Sequence, residues 1–404
     1  LGQLLPNIGF SASYNRTLAK QTMYMNMSGF GGSGQNPGGD ENEDISAQAA
    51  SAPSGGIKVG LDNSYSTGFS ASMPLIAPQL WKSLDISDSR IAESVENARQ
   101  SKLTLVNEVR NAYYTLLLAH DSRNVIAESY EMAQFTADLY EKMFAAGTAT
   151  RYDVLRTRVA VQNIEPQLVQ ADISIRQARL QLAVLMGIDA SAAVVETDRS
   201  LASFEQGLYE RALRSTDNIS GNSSLRMLDI QARQAEQNVS LQKLSFIPTL
   251  ALTANYNWTS MNNGAPFKNL RWNPYSMLGV TLSVPLFEGL QRHSRLKQAQ
   301  IQSREMSFRR EDLVRNINNQ VTLALDNLNQ NLAQVTSCSE SVRQAVTAHS
   351  IMKQSFEIGA ASYLELRDAE LALTQSRLTY YQAIYNTLIA DSSLDLLLGL
   401  PAGM

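Results

Sequence analysis

The strongest constraint on how this chain folds is an internal repeat with a period of about 212 residues. Gly147 recurs as Gly359, and Gly187 recurs as Gly399, each pair 212 residues apart. The FSASMPL stretch at 69–75 returns as VTLSVPL at 280–286. Because a repeat of this kind marks a repeated structural unit, we predict two copies of one unit, each a strand pair followed by a long helical hairpin.

Composition indicates a large, ordered, non-basic chain. The 404 residues are 44% hydrophobic and 18% charged, and the formal net charge of −4 argues against nucleic acid as a partner. The single cysteine, Cys338, cannot form an intrachain disulfide, and no cluster has the spacing of a zinc site. The sequence contains no apolar run of about 18 residues or more, so no transmembrane helix is predicted.

Heptad repeats predict that the hairpin helices form coiled coils. The ascending helix of each copy carries an unbroken seam at both the a and d positions. The descending helix of the first copy is predicted over about residues 88–146, which at 1.5 Å per residue would be roughly 85–90 Å long. The seam positions are Val154, Thr157, Val161, Ile164, Leu168, Ala171, Ile175, Ala178, Leu182 and Leu185, and their counterparts run from Leu366 to Leu397.

Four other segments alternate with a period of two, which predicts strands. In each, one face is apolar or aromatic and the other is small and polar; Tyr65, Phe69 and Met73 alternate with Ser66 and Ser70. One interpretation is a soluble antiparallel sheet with one face in water. The other is part of a membrane barrel: four strands cannot close a barrel alone, but three chains would supply twelve, an even number found in outer-membrane barrels.

Long polar connections are predicted at one end of these strands. The first pair is joined by a Gly-rich and acidic loop over about 18–63, and the second by a loop over about 260–274. Pro6 and Tyr14 recur as Pro248 and Tyr256 at an offset of 242, so the first loop is about 30 residues longer. On the same offset we expect about 20 residues of helix before residue 1, together with any signal peptide.

Motifs at the segment junctions resemble those of the TolC-type outer-membrane efflux protein family, also called outer membrane factors, over nearly the whole chain. They are LLPNIGFSASY and FIPTLALTANY at the strands, MPL and VPLFEGL after them, FAAGTATRYDVL and FEIGAASYLELRDAE at the hairpin turns, and LAVLMGID and LDLLLGLP at the hairpin ends. The resemblance implies a homotrimer with a twelve-stranded β-barrel in the outer membrane and an α-barrel of coiled-coil hairpins in the periplasm.

The resemblance also implies partners: outer-membrane lipid, a periplasmic adaptor (membrane fusion protein) and an inner-membrane pump of the RND or ABC type. The fold class predicted is therefore a mixed α/β membrane protein with an internal two-fold repeat. We expect a first strand pair with a long extracellular loop at 1–80, a first helical hairpin at 81–187, an equatorial segment at 188–222, a helix leading to the barrel at 223–245, a second strand pair at 246–288 and a second hairpin at 289–404.

By the same resemblance, acidic residues at the hairpin turns form a periplasmic aperture. Glu365 and Asp368, about one helical turn apart, stand at the family's aperture positions. In the first copy Asp153 matches Glu365, but Arg156 replaces the second acidic residue, which departs from the family pattern. Since clustered carboxylates repel one another, a closed state needs latches, and the candidates are Arg151, Arg156 and Arg367.

The two turns are the expected adaptor-docking surface. Each is a glycine-containing reversal between antiparallel helices, which leaves small side chains and backbone groups exposed. The alternative is a turn with no binding role. The expected docking residues are Ala146, Gly147, Thr148, Gly359, Ala360 and Ala361.

No enzymatic site and no cofactor are predicted. His120, His293 and His349 are far apart in sequence without metal-ligand spacing, and His349 occupies a seam position that favours a structural or pore-side role. Cys338 is interpreted as a small seam residue rather than a nucleophile.

Two loop patterns are rejected as sites. Gly29, Gly31 and Gly34 formally match GxGxxG, but they lie in a polar loop rather than between a strand and a helix. The acidic run at 40–44 favours a solvated loop over a cation site.

Two functions from different classes remain. The first is a passive trimeric duct from periplasm to exterior, the outer-membrane channel of a tripartite efflux or type I secretion system, gated at its periplasmic tip. The second is a non-conducting, periplasm-spanning coiled-coil scaffold. The polar strand face favours the duct, because a scaffold has no use for a water-filled lumen. The cargo stays open, since the pump would select it.

Overall fold

The computed structural model describes residues 2–23, 57–189, 199–212 and 218–400. Gly29, Gly31, Gly34 and the acidic run at 40–44 lie outside these residues. In chain order the elements are β1 (Asn7–Arg16), β2 (Gln21–Met23), β3 (Ile57–Val59), β4 (Asn63–Ile76), α1 (Pro78–Ala145), α2 (Arg151–Met186), α3 (Glu205–Ala212), α4 (Ser223–Leu244), β5 (Thr249–Asn262), β6 (Asn273–Ser283), α5 (Gln291–Glu357) and α6 (Tyr363–Leu398). They divide into two compact units, one over residues 1–86 and 237–298 and the other over 87–236 and 299–404.

The first unit is built around an antiparallel sheet with the strand order β1-β4-β5-β6. Its register sets Phe10 opposite Phe69, and Phe69 opposite Tyr256. On the far strand, Val280 lies opposite Leu252. Because successive residues of a strand point to opposite faces, this register collects most apolar positions of the four strands on one face, although Tyr275 and Met277 of β6 lie on the other. The alternation predicted from the sequence is confirmed.

Much of the apolar face is exposed to solvent. Ile8 is 71% exposed, Leu278 74% and Leu282 63%. The opposite face carries the small polar series of the same strands, such as Ser66 and Ser70 opposite Thr259 and Asn255. The sheet is therefore polar on one side and apolar on the side where a soluble protein of this class would normally bury its core.

The sequence prediction was wrong about two features near the strands. The predicted loop at 18–63 contains a short ribbon in which β2 pairs with β3. Helix α1 begins at Pro78, three residues before the predicted start of the hairpin at 81 and ten before the start at 88 used to predict the helix length. Proline suits the first position of a helix, because its missing N–H group needs no partner there and its φ is already helical.

The second unit consists mainly of the long helices. Helix α1 has 68 residues and α5 has 67, so each is about 100 Å long at 1.5 Å per residue. All predicted seam positions of α2 and α6 are buried or half-buried, among them Thr157, Leu182 and Leu373 at 1%, 2% and 4% exposure. The burial that the heptad pattern predicts at these positions is confirmed. None of the described helices contains an apolar stretch long enough to cross a membrane.

In its described residues, 188–189, 199–212 and 218–222, the predicted equatorial segment contains the helix α3 and two short 3-10 turns. The first turn is fixed to α1 by Asp121, whose buried carboxylate accepts hydrogen bonds from the Leu201 amide (2.8 Å) and the Ser200 hydroxyl (3.0 Å). Leu201 and Leu208 then join the main core of this unit, which α1, α5 and α6 also line.

The end of the second hairpin is packed against this segment by its backbone. A Cβ atom on Gly399 would lie 1.9 Å from the carbonyl oxygen of Gly221, so the two backbones cross at a distance that only glycine allows. The Arg99 guanidinium donates to both carbonyls, at 2.9 Å from Gly399 and 3.0 Å from Gly221. At Gly187, the counterpart of Gly399, the space for a Cβ is open.

Candidate functional site at the hairpin turns

The turn between α1 and α2 is built by Gly147. Its φ of +75° lies in the left-handed region, which glycine adopts without a steric cost. Its amide donates to the Phe144 carbonyl at 3.0 Å, and the Thr148 amide donates to the Met143 carbonyl at 2.8 Å. These bonds satisfy the last carbonyls of α1, which have no partner within the helix.

The turn between α5 and α6 has the same geometry. Gly359 has a φ of +76°, and its amide donates to the Phe356 carbonyl at 3.0 Å. The Ala360 amide donates to the Ser355 carbonyl at 2.8 Å. Five of the six predicted docking residues, all except the half-buried Ala361, are exposed.

Asp153 and Glu365 each complete a capping box at the start of the following helix. The Asp153 carboxylate accepts from the Thr150 amide at 3.1 Å and its hydroxyl at 2.6 Å. The Glu365 carboxylate accepts from the Ser362 amide at 2.7 Å and its hydroxyl at 2.9 Å. These hydrogen bonds favour the ionised carboxylates and lower the pKa of both acids. Both residues therefore hold helix ends, whatever else they do.

Arg156 connects the first turn to the second hairpin. Its guanidinium carbon lies 4.5 Å from the ring centroid of Tyr363 on α6 and 5.7 Å from that of Tyr152. One nitrogen is 3.6 Å from Asp153. Tyr363 also packs against Tyr140 of α1, with ring centroids 5.5 Å apart. Since Tyr140 and Tyr363 are 9% and 7% exposed, the two hairpins meet here in a buried aromatic contact capped by one cation.

The other predicted site residues have simpler surroundings. Asp368 and Arg151 are exposed, and Arg367 is half-buried. Within the described ranges none of these three forms an ion pair. Arg367 lies near enough to Tyr363 and Glu370 to lower the pKa of each, although burial raises both pKa values overall. Of the three candidate latches, the structure brings only Arg156 against both turns.

A cleft of about 1180 Å³ lies between the ends of the two hairpins. It is lined by apolar and aromatic side chains such as Phe135 and Phe356, together with Glu131, Glu370 and His349. His349 is half-buried there, and burial lowers its pKa.

The residues that sequence reasoning missed are those at which the two copies differ in chemistry. Tyr363 stands 212 residues after Arg151, so an aromatic residue replaces a cation. Glu141 and Arg158 form an ion pair at 2.7 Å in the first hairpin. Their counterparts, Lys353 and Glu370, have the opposite charges. A comparison of the two copies for charge changes would have pointed to this region.

The remaining polar candidates are dispersed. His120 contacts Arg179 at 3.3 Å, and its pKa is lowered mainly by burial, whereas His293 is exposed. Cys338 is partly buried against the main core. Among the described residues, no group of three or more His, Cys, Asp or Glu side chains has the arrangement of a metal site.

Comparison with known proteins identifies a family. The model of the outer membrane efflux protein family matches residues 2–188 and 216–400. The outer membrane protein TolC of Vibrio cholerae is 24% identical over 332 residues, which cover 80% of this chain and 74% of TolC. The alkaline protease secretion protein AprF of Pseudomonas aeruginosa is 25% identical over 333 residues, covering 81% of this chain and 68% of AprF.

Solved structures agree on the fold. The outer membrane protein VceC of Vibrio cholerae superposes with a TM-score of 0.68 at 17% identity, over 98% of this chain and 88% of VceC.

Proposed function

Because this chain belongs to the outer membrane efflux protein family, we propose that it is the channel of a tripartite export system, a passive trimeric duct from periplasm to exterior. It is an outer-membrane transport protein, like the relatives described above. Family members are channels, which fits the prediction that the chain is not an enzyme. AprF is named for protease secretion. We therefore propose that the system served by this chain is either an efflux system or a type I secretion system.

One observation carries this proposal: the four-stranded sheet has an exposed apolar face and two outer strands, β1 and β6, at its edges. An open sheet edge cannot lie in hydrocarbon, because its backbone groups would have no hydrogen-bond partners. Pairing β1 of one chain with β6 of the next removes both edges. Three chains would then form a twelve-stranded barrel with its apolar side in lipid and its polar side around water.

Extraction and oligomer state test this assembly. The protein should require detergent for extraction and should have the mass of three chains after purification. A monomer that is released without detergent would rule out the barrel.

We propose the hairpin turns as the closed end of the duct. In a trimer, Glu365 and Asp368 would place six carboxylates near one axis, and Asp153 would add three more. Such a ring favours cations and resists closure by its own repulsion. The Arg156 contact with Tyr363 supports Arg156 as the latch that offsets this repulsion, with Arg151 and Arg367 as further candidates.

We also propose the turns as the docking surface for a periplasmic adaptor, which in turn recruits an inner-membrane pump. The support is their exposure: Ala146, Gly147 and Thr148 in one turn and Gly359 and Ala360 in the other present small side chains to solvent. An adaptor is expected to contact both turns, because their backbone geometry is the same.

The alternative is a non-conducting scaffold. The helices alone would serve that role equally well. The polar face of the sheet favours the duct. A scaffold would not need polar side chains on that face, whereas a water-filled lumen would. The polar side chains there include Ser66, Ser70, Thr253 and Asn255.

A further inference from the structure

The loop between β5 and β6 folds over the apolar face of the sheet. The Phe267 ring lies 5.4 Å from that of Tyr14 and 5.2 Å from that of Tyr65, and the Trp272 ring lies 6.5 Å from that of Tyr65. Tyr14 and Tyr65 are opposite one another in the register and belong to the apolar face. We call these four residues the aromatic rim. The loop therefore covers the outer side of the sheet rather than the polar side.

This conformation is held by specific contacts. Phe267 has a φ of +63°, which a residue with a side chain rarely adopts. Its amide donates to the Tyr65 hydroxyl at 2.8 Å. Beneath the loop, the fully buried Asn63 donates to Asn262 at 3.0 Å and to the Gly264 carbonyl at 3.1 Å, and accepts from the Tyr14 hydroxyl at 2.9 Å. An unfavourable backbone maintained by such contacts points to a functional constraint.

Three cationic residues are close to members of the aromatic rim along the chain. Arg16 ends β1 in the same alternating row as Tyr14, so it lies on the apolar face. Lys268 and Arg271 stand between Phe267 and Trp272 in the loop. All three are exposed, and none forms an ion pair with any residue in the described ranges. Lys20, by contrast, is already paired with Asp62 at 3.0 Å.

We propose that Arg16, Lys268 and Arg271 bind the phosphate groups of lipid headgroups where the aromatic rim meets the membrane surface. The inference rests on the proposed function, since it takes the apolar face as the side in lipid. Tyr and Trp side chains are enriched at the boundary between hydrocarbon and headgroups. Guanidinium groups bind phosphate through paired, charge-assisted hydrogen bonds. The positive charge of the three side chains matches a negative headgroup, and none of them is in an ion pair with a described residue. Asp62, whose pKa is lowered first by its hydrogen bond from Lys20 and least by the charge of Arg16, is paired with Lys20.

Native mass spectrometry of the detergent-purified protein with added lipid A, a lipid with two phosphates, tests this site. The variant carrying Arg16→Gln, Lys268→Gln and Arg271→Gln should bind lipid A about tenfold more weakly than the wild type, because several charge-assisted hydrogen bonds are lost. The control carries Arg176→Gln, Arg233→Gln and Lys297→Gln, an equal charge change at exposed positions elsewhere, and should bind like the wild type. A variant with Arg16→Lys and Arg271→Lys keeps the charge but loses the paired hydrogen bonds, so its affinity should lie between those of the wild type and the glutamine variant.

Equal binding of lipid A by the wild type and the glutamine variant would overturn the proposal. Displacement of lipid A by millimolar inorganic phosphate would also overturn it, because the site would then bind free phosphate rather than lipid. Failure of the proposed function is recognised separately: the wild type itself would then not be a trimer in the same spectra.

Discussion

The guanidinium carbon of Arg156 lies 4.5 Å from the ring centroid of Tyr363, across the boundary between the two helical hairpins. Neither residue type is repeated at the equivalent position of the other copy, where Asp368 corresponds to Arg156 and Arg151 corresponds to Tyr363. The contact therefore exists once in each chain, although the turns that carry it are built twice. It is the feature most suited to act as a latch.

Removing the Arg156 contact should raise the resting conductance. A cation over an aromatic face contributes roughly 0.5–2 kcal/mol, so Arg156→Ala should shift the closed-to-open ratio by roughly 2- to 30-fold. Tyr363→Leu should have an effect in the same direction. Single-channel recording at neutral pH measures the open probability directly.

The matched control is Arg158→Ala, two residues along the same helix. Arg158 pairs with Glu141 inside one hairpin, and an exposed pair of this kind contributes little. Its conductance should be that of the wild type. If both alanine variants behave alike, Arg156 is not a latch.

The aperture carboxylates should set ion selectivity. The sharpest variant combines Glu365→Gln with Asp368→Asn, because glutamine can keep the capping box with Ser362 while removing the charge. Cation selectivity and block by multivalent cations should both weaken. Reversal potentials in a salt gradient check this, and an unchanged value would remove these two residues from the aperture.

Selectivity should also persist in acid. Hydrogen bonds from Ser362 lower the pKa of Glu365 from its ordinary value of 4.5. A group with a lowered pKa stays ionised as the pH falls, and its contribution disappears only when the pH passes through the lowered value. Replacing Ser362 with Ala keeps the amide hydrogen bond, which is the larger cause, and removes the hydroxyl's, so the loss of selectivity should move to slightly higher pH. Reversal potentials between neutral and acidic solutions measure this.

Two equivalent glycines should differ in their tolerance of alanine. Gly187 and Gly399 have φ values of +66° and +65°, so alanine is disfavoured at both by about 1–2 kcal/mol. Only at Gly399 would the new methyl group also meet the Gly221 carbonyl. Gly399→Ala should therefore lower the thermal unfolding temperature clearly more than Gly187→Ala. Equal shifts would mean that the backbone crossing relaxes without cost.

Much of this fold follows from periodicity. Heptads predict the seam from Val154 to Leu185 and its counterpart in α6, because burial repeats regularly along a coiled coil. Alternation predicts the two faces of the sheet for the same reason. Both patterns are local and therefore visible in a sequence.

Contacts between distant elements were not predictable in this way. The Arg156–Tyr363 contact joins residues far apart in sequence. Heptad spacing predicts which face of a helix is buried, but it does not predict which other helix packs against that face. The loop that brings Phe267 onto Tyr65 depends on a positive φ at a phenylalanine, which residue preferences disfavour. Asp153 and Glu365 show a further limit of prediction from sequence. An acidic residue at either position is compatible both with a capping box and with a place in the aperture, so its identity alone does not distinguish the two roles.

Bulk at the turns should block adaptor docking. Replacing Gly147 or Gly359 with leucine should abolish export in complementation assays while trimers still assemble. Because leucine also strains the left-handed backbone, asparagine at the same positions is the control, since it tolerates that conformation. The asparagine variants should export normally. Wild-type export by both leucine variants would exclude docking at these turns.

The central claim is that three copies of this chain enclose a water-filled duct, and planar-bilayer recording tests it most directly. Purified trimers added to one side of the bilayer should give discrete, cation-selective conductance steps, closed most of the time in the wild type and open more often in Arg156→Ala. Trimers that insert into the bilayer without conducting in either protein would contradict the duct and favour the scaffold.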